Sequence, residues 1–523
     1  MSRAADSGGS GGRRAAGVLL PLFSLRGTRD WGIGEVGDLP AFCRWLADAG
    51  QRLLQLLPIV EMSLGERSPY AAMTAFAIDP IYLSLGEVED FAAAGGESVL
   101  AGALDEARRD PHVDYDAVRA VKRRALEIAF ARFMATEWES GSTRAEDFRR
   151  FRSAEAAWLE DYALFRACQE RHGGRAWTDW EPGLRDRLPA ALAGALAALE
   201  RERLFHEYVQ WIAAEQWAAA RRAATAVGVR LKGDLPFMVS PNSADVWARQ
   251  VEFGCDVALG APPDAFNAEG QDWGLPAHRW DAMAQNDFAW LRARARRAAA
   301  LFDAFRLDHV VGFYRQYVIA PGGPRGFVPA DESEQRSLGE RLLALVRDEV
   351  GRTEVIGEDL GVVPPFVRRS LTELGIAGYR VLRWEERGGV FRDPAAYPAL
   401  SVATTGTHDT SSLAAWWEEE LGADGRRALA AVPSFAALRD EGASFTPAVH
   451  AVLLDGLHAA GSDLIVLPFP DAYRGRERIN VPSTVGPSNW AYRMPWSIAE
   501  LQGAAGDELR DRLRGLAERH GRR

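Results

Sequence analysis

Cysteine is scarce in this 523-residue chain: there are three, Cys43, Cys168 and Cys255. They are far apart, odd in number and without metal-ligand spacing, so they fit neither a disulfide framework nor a zinc site. They predict buried thiols in a reducing compartment. No apolar run approaches the length of a membrane span. Met1 to Gly17 is mostly Gly, Ser, Ala and Arg and lacks the apolar core of a signal peptide, so it reads as a disordered tail. A positive excess is also missing. The formal net charge of -11 argues against a nucleic-acid backbone or an anionic membrane surface as partner and is compatible with a neutral substrate such as a sugar. There is no solenoid-type repeat. Nor is there a glycine-rich loop suited to phosphate, because Gly32-Ile33-Gly34 is followed by Glu35. Together these absences predict a soluble cytoplasmic protein.

What the chain does have is apolar residues, 47% of the total, and enough length for a large core with insertions. Its 17 tryptophans could stack on sugar rings, although core packing is the expected role of most. Eight short apolar segments end in polar clusters or prolines: Val18–Leu22, Leu53–Leu57, Val229–Leu231, Ala304–Leu307, Val355–Ile356, Tyr379–Trp384, Val402–Thr405 and Leu464–Leu467. Helix-patterned sequence separates most of them, as in Ala293–Phe302 and Ser337–Glu349. Alternating strands and helices imply a parallel sheet, and eight units predict an α/β fold of the (β/α)8 TIM-barrel type. Residues 90–220 carry helical periodicity and are expected to form a large, mostly helical insertion between the second and third strands. Residues 424–458 are expected to be a second helical excursion. The resulting division is a tail over 1–16, a catalytic barrel over 17–500 and a C-terminal helix over 501–523.

In a barrel the reactive groups sit at the C-terminal ends of the strands, and three such ends carry carboxylates. In Phe-Arg-Leu-Asp-His, Arg306 and Asp308 point the same way because side chains alternate along a strand, and an arginine beside an aspartate favours its ionised form. A buried ion pair that merely closes the barrel is the competing reading. In Gly-Glu-Asp-Leu, one of Glu358 and Asp359 faces inward and the other outward. Among like charges and apolar walls a glutamate gains proton affinity, which suits a general acid, while Asp359 is expected to cap the next helix. In Thr-His-Asp-Thr, His408 and Asp409 could grip sugar hydroxyls, with a simple turn as the alternative and a metal site disfavoured. Cleaving a glycosidic bond needs two carboxyl groups. In a retaining mechanism these lie ~5–5.5 Å apart, one as nucleophile and one as acid/base.

Taken in order, these segments resemble the amylomaltase family of 4-α-glucanotransferases, the disproportionating enzymes. The likeness runs from about Gly17 to Arg493. It includes GVLLPLFSLRGTRDWGIGEVGDL, SPYAAMTAFAIDP, KGDLPFMVSPNSADVWA and GAPPDAFNAEGQDWGLPAHRW. The resemblance implies a glycoside-hydrolase-type barrel with Asp308 as nucleophile, Glu358 as acid/base and Asp409 as transition-state stabiliser. It further implies substrate binding by Tyr70, Asp234, Phe266, Trp273, Arg306, His309, His408 and Asn480, with the Ala261–Trp280 loop as a cover. Neither cofactor nor metal is implied. The partners would be an α-1,4-glucan or maltooligosaccharide donor and a glucose or glucan acceptor. A retaining α-glucan hydrolase and a catalytically silent glucan-binding protein are the alternatives. The chain departs from the commonest family pattern at Leu275, at Thr410-Ser411-Ser412 and at Phe469-Pro470-Asp471, which bears on the acceptor subsites.

Overall fold

The computed structural model describes residues 14–263, 270–323 and 325–523. Eight strands form one all-parallel sheet: β1 (Ala15–Leu19), β2 (Leu53–Gln55), β3 (Arg230–Leu235), β4 (Ala304–Leu307), β5 (Glu354–Gly357), β6 (Gly378–Val381), β7 (Ser401–Thr404) and β8 (Leu464–Pro468). Their spatial order, β6-β7-β8-β1-β2-β3-β4-β5, carries the sheet around until β5 meets β6 again. There Gly357 donates its amide to the Ala377 carbonyl at 2.9 Å, and a parallel bridge joins Ile356 to Ala377. This is the expected (β/α)8 barrel, with every sequence-read strand in place. The strands are almost wholly buried, as parallel strands covered by helices must be. At Gly17 the approach of β2 leaves no room for a side chain, since a Cβ would lie 2.2 Å from the Leu53 carbonyl oxygen.

Most strand ends shift by one to four residues from the sequence reading, and two of the shifts are informative. The first strand begins at Ala15, where a tail reaching to residue 16 was expected. Ala15 and Ala16 are buried and pair with Leu464 and Ile465 of β8. Small residues in a Gly/Ala-rich stretch carry no local strand signal, and the pairing comes from the far end of the chain. The sixth strand stops at Val381, and Leu382–Trp384 turns away as a 3-10 helix with Trp384 46% exposed. Residues 1–13 of the expected tail lie outside the described residues.

Between β2 and β3 the insertion is built on helices α1 (Tyr115–Phe133), α2 (Thr143–Arg171) and α3 (Glu200–Ala226). Asp114 and Ser142 cap the first two by accepting from backbone amides of their first turns. Phe130, Phe133, Phe148, Tyr208 and Trp211 meet ring to ring at 5.0–5.6 Å, which explains why this stretch keeps its apolar residues. Arg144 grips Asp90 through both terminal nitrogens at 2.8 Å, and the Tyr208 hydroxyl donates to the same carboxylate. Further along, α4 (Ala289–Leu301) and α5 (Glu332–Val350) pack against each other outside the barrel. The 424–458 excursion ends in a helix over Pro447–His458, and a C-terminal helix spans Ala504–Arg519.

The described part of the segment expected to be a covering loop is mostly strand, with residues 264–269 outside the described residues. Gln271–His278 pairs with Phe253–Ala261 in a four-stranded antiparallel sheet completed by Gln316–Ile319 and Arg325–Val328. Its glycines and prolines masked the extended pattern. This sheet also corrects the expectation that all thiols are buried. Cys43 and Cys168 are buried, but Cys255 stands exposed on the outer face of the Phe253–Ala261 strand. Most of the tryptophans are core residues, as expected.

Candidate active site

The polar residues converge at the C-terminal ends of β3, β4, β5 and β7. On β4 and just beyond it, Arg306 and Asp308 do point the same way. The Arg306 Nη1 donates to Asp308 Oδ1 at 2.8 Å and to both oxygens of Asp234 at 2.8 and 3.0 Å. Its other terminal nitrogen lies 3.8 Å from Glu358 Oε2. One guanidinium therefore spans three carboxylates. Burial works against its charge, but Asp234 and Asp308 outweigh that and raise its proton affinity. Asp308 also accepts from the Phe237 amide at 3.3 Å, and its side chain is 25% exposed, more open than the buried Asp234. The simple buried-ion-pair reading fits Asp234, whose second oxygen accepts from the Tyr70 hydroxyl at 2.9 Å. It does not fit Asp308, which keeps an edge free.

Glu358 is the inward member of its acidic pair. It accepts from the His309 amide at 2.9 Å and the Leu360 amide at 3.1 Å. Burial, with Asp308 and Asp359 adding to it and Arg306 opposing, pushes its carboxyl up to about 8. His309 itself has a positive φ, +45°, an uncommon conformation for a non-glycine residue. Burial also lowers the His309 imidazole. Asp359 faces outward but is no helix cap. It accepts from the Tyr379 amide at 2.6 Å and pairs with Arg368 and Arg380, so it staples β5 to β6, and the next helix begins at Pro365.

Asp409 is held in place by Asn480, whose side-chain amide donates to Oδ1 at 2.6 Å, and by His408, whose Nε2 lies 3.3 Å from Oδ2. Burial would raise its carboxyl, but His408, Asn480 and Arg306 together hold it down to about 2. The His408 ring stacks on Tyr70 at 5.2 Å and 19°, and Trp490 closes the wall at 5.8 Å from Tyr70. On the far side, Trp273 meets His309 edge to face at 5.0 Å, bringing the antiparallel sheet to the end of β4. The fold thus joins Tyr70, Asp234, Trp273, Arg306, Asp308, His309, Glu358, His408, Asp409 and Asn480. Phe266 lies outside the described residues. Such a constellation, with one carboxyl high, one low and one half-open beside them, has the elements of glycosidic-bond chemistry.

The profile of glycoside hydrolase family 77, described as 4-alpha-glucanotransferase, matches residues 20–499. The chain belongs to this family. It is 34% identical over 523 residues to the 4-alpha-glucanotransferase of Thermus thermophilus, covering 97% of this chain and 98% of the relative. It is 32% identical over 511 residues to that of Chlamydia caviae, covering 93% and 91%. Among solved structures, the amylomaltase from Streptococcus agalactiae in complex with acarbose superposes with a TM-score of 0.81 at 26% identity, covering 97% of this chain and 99% of that one. Family membership favours the transferase reading over the hydrolase and the silent binder.

Sequence reasoning missed several residues of this family member's site. Arg478 donates to the Asp409 carbonyl at 2.6 Å and to the Asn480 carbonyl at 2.7 Å, tying the two residues together. Trp490 is another. Its backbone is left-handed, φ +62°, and its carbonyl accepts from the Tyr115 hydroxyl at 2.8 Å at the start of α1, so the helical insertion holds the aromatic wall. Beneath the carboxylates, Lys232 donates to the Tyr379 hydroxyl at 2.8 Å, and burial lowers its ammonium to about 7. A signal for Lys232 existed: it stands two residues before Asp234, on the same face of β3. The departures from the family pattern resolve locally. Thr410 donates back to Thr407, Ser411 accepts from Arg383, and Asp471 accepts from Thr405 and the Leu413 amide, so the hydrogen bonds of these side chains go elsewhere than to the Asp409 carboxylate.

Proposed function

We propose that this chain transfers a segment of an α-1,4-glucan to the 4-hydroxyl of another glucan or of glucose, by a retaining double displacement. Asp308 attacks the anomeric carbon while Glu358 gives its proton to the departing oxygen. Asp409, held as an anion, steadies the positive charge that develops in the ring. Glu358, now unprotonated, takes the proton of the incoming 4-hydroxyl, and the α-link re-forms with Asp308 released. Arg306, His309, His408, Tyr70, Asp234 and Asn480 fix the carboxylates and the sugar. Trp273 shields the intermediate from water, and Phe266 is assigned to the same cover by family resemblance. Transfer over hydrolysis depends on that shielding and on acceptor positioning.

The observation that carries this reading is the division of proton affinity around Arg306: Glu358 pushed up to about 8 while Asp409 is held near 2. At neutral pH this leaves one group as acid and another as anion, the pairing the chemistry needs. The maltooligosaccharide or glycogen donor and a cytoplasmic site of action belong to the same proposal. No described helix is long and apolar enough to cross a membrane. We further assign residues 15–500 to one catalytic unit that includes the 90–220 and 424–458 helical segments, followed by a C-terminal helix over Ala504–Arg519. The test is incubation with maltotriose. A ladder of longer maltooligosaccharides that disappears in Asp308→Asn supports the reading, whereas growth of reducing ends without a ladder would replace it with hydrolysis.

A further inference from the structure

A cavity of about 870 Å³ lies away from the catalytic end, at the opposite mouth of the barrel, where Ala15, Arg230, Glu354 and the residues just before the other strands, such as Arg52, Asp303 and Asp463, form its rim. From this rim to the catalytic carboxylates is the length of a strand: Arg230 to Asp234, Asp303 to Asp308, Glu354 to Glu358. At ~3.3 Å per residue that is about 13–17 Å. A volume of this size falls in the range of ~300–1,000 Å³ that small-molecule sites occupy.

Its lining is strongly one-signed. Seven arginines face three acidic residues, in a chain whose net charge is -11. Two of the acids are already used: Asp303 pairs with Arg221 at 2.8 Å, and Glu354 with Arg230 at 2.9 Å. Arg14, Arg52 and Arg352 have no carboxylate within 4.0 Å among the described residues; Arg14 and Arg52 donate only to backbone carbonyls. The Arg14 Nε is buried without a hydrogen-bond partner. The excess of positive charge is felt next door, where burial and the Arg14 charge lower Arg522 to about 9. The cations are all arginines, because the chain's two lysines, Lys122 and Lys232, are buried elsewhere. Arginine is the side chain whose planar fork matches phosphoryl oxygens in pairs. Glucan chains are neutral, so the catalytic reaction gives this cavity no role.

We propose that the N-terminal mouth of the barrel binds a small anion bearing two or more phosphoryl groups. Arg14, Arg52 and Arg352 are its principal contacts, and the Arg221–Asp303 and Arg230–Glu354 pairs form the fixed rim. The competing account, a ring of arginines that only steadies the barrel ends, predicts no ligand.

The experiment is isothermal titration calorimetry of the full chain at low salt with three probes: inorganic pyrophosphate, ATP and a hexose bisphosphate, with maltose as neutral control. The expected result is saturable binding of at least one probe with a dissociation constant below about 0.1 mM, weakening as salt rises. Arg352 lies exposed in the turn before β5, so Arg352→Gln leaves the fold intact. It should weaken binding at least about threefold, and Arg52→Gln/Arg352→Gln at least about tenfold. Disproportionation of maltotriose should persist in both variants, which reports that they are folded. Pyrophosphate equal to ATP means that phosphoryl groups alone are recognised; tighter binding of ATP or of the bisphosphate means that the carrier is read as well. Failure of all three probes to saturate by about 1 mM, or binding unchanged in the double variant, overturns the proposal.

Discussion

In the proposed mechanism Glu358 has to be an acid in one half of the reaction and a base in the other, and its surroundings contain a means of changing it. Part of its raised proton affinity comes from the charge on Asp308. When Asp308 becomes a glycosyl ester that charge is gone, and Asp308→Asn reproduces the loss without substrate. Two carboxylates ~5.5 Å apart, the separation of retaining enzymes, repel by about 3 kcal/mol at an effective dielectric constant of ~20, equivalent to roughly two pH units. Arg306 contacts both groups and offsets part of this, so the Glu358 titration should fall by about one to two pH units. The assay is carbon-13 NMR of protein labelled at the glutamate carboxyls, titrated from about pH 5 to 10, with the Glu358 signal identified by its absence in Glu358→Gln. In the unsubstituted protein the signal should move near pH 8, and the alkaline limb of kcat/KM should share that midpoint. A wild-type midpoint in the ordinary glutamate range would refute the burial argument. A midpoint unmoved by Asp308→Asn would refute the coupling between the two carboxylates.

Asn480→Ala removes the 2.6 Å hydrogen bond to Asp409 and should lower kcat by roughly ten- to a hundredfold with little change in KM, because the charge it steadies matters most in the transition state. Tyr70→Phe leaves one Asp234 oxygen with only Arg306; thermal or denaturant unfolding should show a loss of about 1.5–3 kcal/mol, the range for a hydrogen bond to a charged group. Tyr115→Phe frees the Trp490 carbonyl some distance from the chemistry, so KM for maltotriose should rise while the unfolding midpoint barely moves; an unchanged KM would mean that the insertion does not hold the aromatic wall. Lys232 has its folded-state value lowered to about 7 from an ordinary value near 10.5, so the unfolded chain binds the extra proton between these limits and stability should rise with pH across that window. Urea titrations of Lys232→Met should lack this rise.

Much of the architecture was legible because barrel strands are short apolar runs that end in functional groups, and the polar punctuation at Asp234, Asp308, Glu358 and Asp409 is local. The Arg306–Asp308 pairing was legible for a related reason, since a period of two puts both side chains on one face. The first strand was misjudged at its start because Ala15 and Ala16 owe their burial to β8, more than four hundred residues away. The covering segment was misjudged because its glycines and prolines resemble a loop, and its extended form depends on pairing with Phe253–Ala261. Asp359 shows the same limit. An acidic residue before a helix is a reasonable cap by local rules, yet the Tyr379 amide and Arg380 on the neighbouring strand and Arg368 on that helix claim it.

By itself the amino-acid sequence determined which chemistry is available: three strand-end carboxylates with an arginine and histidines beside them, on a repeating strand–helix pattern of eight units. Local spacing suffices for that, because alternation along a strand and the position of strand ends depend on near neighbours. What only the tertiary structure supplied is the physical ground for those expected roles, the burial and the charges on other strands that push Glu358 up and hold Asp409 down. It alone joined Tyr115 of the insertion to Trp490, and gathered arginines from the starts of distant strands around a cavity at the far end of the barrel. Proton affinity and electrostatic potential are summed over neighbours in space, and a linear chain specifies those neighbours only after it has folded.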